Sequence, residues 1–499
     1  MTVKPISLQK SHRCPRLYST APESYSRKAS PASLTPFSPQ DTHIHASQHP
    51  NVGIFGKTTL LDWLHTYTFP LESSLSSLHL ARRVYSRCVS RTLSHGTTTA
   101  SYFATLHVES TNLLADICLQ KGQRAFIGRV CMDSDLSPEY IRDESPEKAI
   151  ADTEATIAHI NAIDPHHHLI TPILTPRFAP SCTSPLLQQL GHLASTTHLP
   201  IQTHISENPS EISLVHSLFP THTSYAHVYD AHSLLTPRTV LAHAIHLSPS
   251  ERSLVKQRQS KISHCPVSNT SLSSGLCPVR ELLDQGITVG LGTDVSGGYS
   301  SSILTAAREA GMVSRTVAAL TPENQSPDGH KQGEKEVDGR NPNPDQDPAT
   351  SNAEAPDADK ASDENSARYS TSSKDRKKLS VEECLYLATR GGASCLNLSH
   401  KIGDFSVGME WDAQLIQLST VAPPSPPGES VDGGEIIPTV ELELNDGDEG
   451  LVDLWGKETW SEKVAKWLFC GDDRNTRKVF VREILVYERL HGKGGVEVG

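Results

Sequence analysis

From Asp41 to about residue 320, short β-rich runs alternate with segments in which apolar side chains recur at helical spacing. Leu80–Leu93 and Pro185–Thr197 carry the helical pattern. Arg124–Cys131, Leu169–Thr175 and Ile201–His204 read as strands, followed by Thr239–Ala242, Ile262–His264 and Thr288–Gly292, each with a turn or helix behind it. This alternation predicts a parallel α/β fold, and the length of the stretch suits a closed, eight-stranded (β/α)8 barrel of TIM type.

The pattern fails at both ends and once in between. Residues 1–40 are rich in Ser and Pro without a sustained period and are expected to be poorly ordered, so that 41–321 forms the main part of the barrel. The span 322–378 is almost free of large apolar side chains. It cannot bury enough surface to offset its ordering entropy and reads as a disordered polar insertion. Helical patterning resumes at Ser380, a cap for a helix over Val381–Ala388 with Glu382 and Glu383 in its first turn, and 379–400 reads as the end of the barrel. From 401 to 499, β-leaning pieces such as Asp412–Leu418 and Lys478–Val486 flank a polar break at Val421–Gly434, which predicts a β-rich lobe and tail.

Composition narrows the class. A formal net charge of −12 opposes a general affinity for nucleic-acid phosphates, and no apolar run approaches the roughly 18–20 residues that span a bilayer. The expected partner is a small molecule, with neither nucleic acid nor membrane. Ten scattered cysteines without a CxxC pair, and no apolar signal sequence, imply free thiols in a reducing, cytoplasmic setting.

Candidate chemistry begins at Asp41-Thr42-His43-Ile44-His45. Side chains alternate along a strand, so His43 and His45 share a face and can hold one metal. In a chain with 25 histidines such a pair arises by chance. Three further elements change its weight: His204, His243 and Asp294 also fall at or near strand ends, and polar residues at the carboxyl ends of barrel strands project into one mouth. Imidazoles with one carboxylate and no thiolate suit zinc, with iron also compatible. The run His166-His167-His168 follows Asp164-Pro165 and reads instead as a solvated turn.

The order HxH, HxxE, His, Asp is similar to that of the mononuclear amidohydrolase deaminases. Longer strings resemble the guanine deaminases within that superfamily: DTHIHASQ (41–48), LDWLHTYTFPLE (61–72), GTTTASYFATLH (96–107), LTPRF (174–178), HISEN (204–208), HCPVSNTSLSSG (264–275), GLGTDVSGGYS (290–300) and GDDRN (471–475). The resemblance covers most of 41–320 and resumes from about 379 to 486. It implies one Zn2+ per chain on His43, His45, His204 and Asp294, and a metal-activated water. Glu207 falls at the family's proton-shuttle position. His243 and Asp294 orient the nucleophile, with His243 close to the metal. Gln48, Arg177 and Phe178, together with Glu207, bind the purine, and guanine and water are the reactants. A homodimer is also implied. The alternative is another ring of pterin, adenine or triazine type, which the Gln48, Arg177 and Phe178 set argues against. An HxE plus PCxxC zinc site of the cytidine-deaminase type is absent.

One departure stands out. The family places strands ahead of the HxH strand as half of a small β-sandwich, whereas here Pro36 and Pro39 precede it and remove ladder donors. The sandwich lobe is therefore expected to be incomplete, its C-terminal strands lacking N-terminal partners. That expectation leaves a catalytically silent or misfolded scaffold as the remaining alternative.

Overall fold

Eight parallel strands close a barrel around the predicted histidines. The structure, a computed structural model, describes residues 33–57, 59–321, 373–420 and 452–489. Its first strands are β1 (Ser33–Phe37), β2 (Gln40–His45), β3 (Thr99–Phe103), β4 (Arg124–Gly128), β5 (Val130–Cys131), β6 (Ile170–Pro172) and β7 (Thr175–Pro176). They are followed by β8 (Ile201–Ile205), β9 (Thr239–His243), β10 (Lys261–His264) and β11 (Val289–Leu291). β2-β3-β4-β6 and β8-β9-β10-β11 are two parallel half-barrels, and β5 with β7 is a short extension beyond the first.

Two seams close the ring. At one, Leu174 bridges Ile201, with Gln202 N–H donating to Leu174 O at 2.9 Å. At the other, Asp294 N–H donates to His43 O at 2.9 Å and His45 N–H to Val295 O at 3.2 Å. The Asp41 carboxylate clasps this second seam by accepting from Thr293 N–H at 3.0 Å and from the Thr293 hydroxyl at 2.6 Å.

Helices shield the outer face of the ring. Leu186, Leu187 and Leu190 of helix Ser184–Thr197 share one apolar cluster with Ile201, Leu241, Ile262 and Leu291 of the strands. Local sequence starts the helices cleanly: Asn208 with Glu211, and Ser248 with Glu251, form capping boxes on helices that open with Pro209 and Pro249. Ser380 caps its helix as expected, with Glu383 completing the box. Beyond Tyr386 that helix widens into a π turn, Leu387–Gly391, instead of continuing as α-helix to Ala388. Among the described residues, no helix is long and apolar enough to cross a membrane.

The lobe requires a correction. β12 (Ala413–Gln417), β13 (Ser419–Thr420), β14 (Asp453–Leu454), β15 (Thr476–Val481) and β16 (Ile484–Glu488) follow the barrel, and the main sheet has the order β1-β12-β15-β16. The C-terminal strands thus have an N-terminal partner within the span read as poorly ordered. β1 is antiparallel to β12, pairing Ser33 with Gln417 and Phe37 with Gln414, with irregular register between Leu34 and Phe37. Pro36 falls in that irregularity, on an edge strand, where a missing N–H costs no ladder bond. β2 begins at Gln40, just after Pro39. The Lys478–Val486 run is likewise two strands, β15 and β16, turned by Arg482 and Glu483 at φ of 51° and 70°. Arg124 on β4 pairs with Glu410 and Asp412 and ties this lobe to the barrel.

Phe37 anchors β1 by an edge-on contact with Trp467, ring centroids 5.0 Å apart. Phe37→Ala is expected to cost roughly 2 kcal/mol, below the range for a fully buried ring because Phe37 is only partly covered. A thermal-unfolding midpoint equal to the parent's would show that β1 does not support the lobe.

Of the span 322–378, residues 373–378 depart from the featureless expectation. Ser373–Lys377 is a helical turn pinned by Lys377 to Glu281 at 3.1 Å and by Arg376 to Asp284 at 3.5 Å. Residues 322–372, the Val421–Gly434 break and residues 1–32 lie outside the described residues.

Candidate active site

The predicted residues converge at the carboxyl ends of the strands. His43 and His45 leave β2 on the same face, His204 comes from β8, and His243 is the last residue of β9. Asp294 lies three residues beyond the end of β11, near the strand end as expected, and its N–H bond to His43 O holds it there. His243 and Asp294 both take left-handed backbone conformations, φ 70° and 46°, which turn them inward. Such strain costs about 1–3 kcal/mol per residue and gathers at functional sites. Gly292 lets the turn approach β2, since a Cβ there would lie 2.8 Å from His43 Cβ and 2.7 Å from Ser263 Oγ.

The side chains are packed closely enough to share one ion. Single donor atoms of His43, His204, His243 and Asp294 all lie within 4.8 Å of one another. His45 joins them, its Nε2 3.1 Å from His204 Nε2 and 3.4 Å from Asp294 Oδ1, while His43 Nε2 is 3.1 Å from the same Asp294 oxygen. The geometry thus brings in His243 beside the four residues read as ligands. Neighbours set the ring tautomers. Arg177 O can only accept, so the 2.6 Å bond from His204 Nδ1 puts the proton there and leaves Nε2 a lone pair facing the cluster. Asn269 Oδ1 does the same for His243 Nδ1 at 2.8 Å. Two imidazole Nε2 atoms 3.1 Å apart in a part-buried site, beside a carboxylate and without a thiolate, fit a divalent ion of zinc type.

Burial sets the charge states. It lowers the His43 imidazole and holds His45 and His204 well below their ordinary range, which favours the neutral rings that a metal would need. For Asp294 burial acts upward, but the His43 hydrogen bond and the charges of His43, His243 and His45 win and hold the carboxyl well below the usual range. Glu207 is pushed up to about 7 by burial, with His243 opposing. Its Oε2 is 3.3 Å from His243 Nε2, and its Oε1 accepts from the Ser274 hydroxyl at 3.0 Å.

A cleft enclosing about 390 Å³ of non-atom space, solvent included, opens over this cluster. Gln48, Arg177, Phe178 and Glu207, the residues proposed from sequence for the purine, line it together with His45, His204 and His243, and Trp63 and Leu272 add apolar wall. Arg177 is not a free cation: it is buried against Glu72, Nη1 to Oε2 at 2.6 Å, and Gln48 Nε2 donates to the same carboxylate at 2.9 Å. Sequence reasoning missed Glu72, Trp63 and Asn269. All three stand inside the strings LDWLHTYTFPLE and HCPVSNTSLSSG, so the signal was present without its roles. His166–His168 stay on a turn, with His167 bonded to Asn161 at 2.8 Å, and take no part in the cluster.

A closed parallel barrel whose mouth gathers four imidazoles and one aspartate has the architecture of the barrel hydrolases. The chain is a member of the amidohydrolase family, whose model matches residues 40–328 and 359–493. Curated relatives include a probable guanine deaminase of Schizosaccharomyces pombe, 44% identical over 89% of this chain and 70% of that protein. The Homo sapiens guanine deaminase is 38% identical over 88% of this chain and 80% of its own. Among solved structures, guanine deaminase from C. acetobutylicum with guanine bound in its active site superposes with a TM-score of 0.70. It is 29% identical, covering 93% of this chain and 90% of that one.

Proposed function

We propose that this chain hydrolyses guanine to xanthine and ammonia with one zinc ion held by His43, His45, His204 and Asp294, and His243 beside it. The observation that carries the reading is that two N–H donors, Arg177 and Gln48, line the same cavity as the imidazole cluster and Glu207. Zinc, when bound, supplies a Lewis acid that lowers the pKa of a coordinated water toward neutrality.

The chain's own groups do the rest. Arg177 and Gln48 donate to acceptors on the purine edge, and the Phe178 ring flanks the base. His243, fixed by Asn269, and Asp294 orient the attacking water. Glu207 accepts the first proton that water gives up and delivers it to a ring nitrogen; it then takes the proton of the hydroxyl left on the tetrahedral carbon and passes it to the amine, which leaves as ammonia while the carbonyl forms.

The test is guanine consumption by the purified, zinc-loaded chain, followed by absorbance, for the parent and for Arg177→Lys. Lysine keeps a cation against Glu72 but loses the planar fork, so each purine acceptor left unpaired should cost about 1–3 kcal/mol. The loss should fall on guanine with zinc content unchanged. A parent that ignores guanine and deaminates a pterin or triazine instead would sink the substrate assignment. Equal losses on every ring would make Arg177 a structural residue.

A further inference from the structure

Glu72 is buried in the short helix Phe69–Ser74, part of the excursion that covers the barrel mouth after β2. Its Oε2 takes the 2.6 Å bond from Arg177 Nη1. Its Oε1 accepts from Gln48 Nε2 at 2.9 Å, the Ser47 hydroxyl at 3.3 Å and Arg177 Nη2 at 3.4 Å. The Arg177 guanidinium also lies over the Phe69 ring, 5.2 Å from its centroid. One carboxylate therefore holds both polar residues of the donor wall.

The orientation of Gln48 follows from this contact. Its Oε1 accepts from Ser296 N–H at 3.3 Å and from the Ser296 hydroxyl at 3.5 Å, while Nε2 faces Glu72. Reversing the amide would set its oxygen against a carboxylate and its NH2 against an N–H. The second hydrogen on Nε2 is then what Gln48 has left for a ligand, so this wall offers donors only. Charge follows the same logic. An unpaired guanidinium in a buried pocket attracts anions, whereas the Arg177–Glu72 pair is neutral overall and suits an uncharged ring bearing acceptors.

We propose that Glu72 is a specificity-determining positioning residue: it fixes Gln48 as a donor and neutralises Arg177, so that the pocket selects neutral oxopurines over anionic ones. This rests on the guanine reading above. It is tested by comparing the zinc-loaded parent with Glu72→Gln and Glu72→Asp in two measurements. The first is KM and kcat on guanine. The second is equilibrium binding, at mildly alkaline pH, of xanthine, which ionises there, and of hypoxanthine, which stays neutral and has no amine to lose.

In Glu72→Gln, KM for guanine should rise roughly 10- to 100-fold, the size of one or two charge-assisted hydrogen bonds, with kcat falling less and zinc content unchanged. Binding should shift toward xanthine over hypoxanthine by about tenfold, since the guanidinium charge is no longer cancelled. Glu72→Asp keeps the charge but not the reach, so it should raise KM while holding the parental binding ratio. An unchanged ratio in Glu72→Gln, or the same shift in Glu72→Asp, would overturn the role of charge. Should Glu72→Gln not fold, Glu72→Asp decides alone: a raised KM with the parental ratio supports the proposal, and a parental KM overturns it. A parent that neither consumes guanine nor binds either purine would overturn the functional reading, and this inference with it.

Discussion

Glu207→Gln is expected to leave fold and metal content intact while lowering turnover about 10²–10⁴-fold, the range typical of a positioned acid–base group. Glutamine has the same shape, and its carbonyl can keep the Ser274 hydroxyl bond that Glu207 Oε1 makes at 3.0 Å. The backbone around it is held independently, because Glu207 N–H donates to Glu211 Oε2 at 2.8 Å. An amide does not cycle a proton at neutral pH, so each transfer from water to ring and from carboxyl to amine must find a poorer route. Substrate binding through Arg177 and Gln48 is untouched, so KM should move far less than kcat. Single-turnover rates with zinc quantified on the same sample give the answer. Near-parental turnover would assign the proton to another group, with His243, 3.3 Å away, the next in reach.

His204→Ala should have the other large effect, bringing both zinc retention and activity down to background. His204 Nε2 is the nitrogen that meets His45 Nε2 at 3.1 Å, and its orientation is set by the bond to Arg177 O. An alanine there removes a ligand whose tautomer is already arranged, and it opens the buried site to water. Elemental analysis after gel filtration, with excess zinc offered beforehand, measures the loss. A variant that still carries one zinc per chain would remove His204 from the ligand set, whatever its activity.

How much of this was legible depended on whether the signal was local. The strands bearing His43, His204 and His243 showed themselves through short β-rich runs with helical segments between them, and Ser380, with Glu382 and Glu383 behind it, marked a helix start. Glu72 could not be assigned from sequence, because its partners come from Gln48, just after β2, and from Arg177, just after β7, and only the closed barrel brings them together. β1 was hidden for a different reason. Pro36 signals a break, and the features that permit it, an edge position and an irregular register, are properties of the assembled sheet. The turn between β15 and β16 escaped notice because Arg482 and Glu483 adopt left-handed backbone without the Gly or Asn that usually announces it.

The seam clasped by Asp41 and Thr293 joins residues 252 positions apart in the chain. His43 and His45 stand on one side of it and Asp294 on the other, so no fragment that stops short of Asp294 contains the whole site. A nascent chain has its first histidines long before it has the aspartate that completes them. Contacts of such long sequence separation form only after the intervening loop has been closed, which makes them late events in folding. The complete site can therefore form only after the chain has reached Asp294 and this seam has closed.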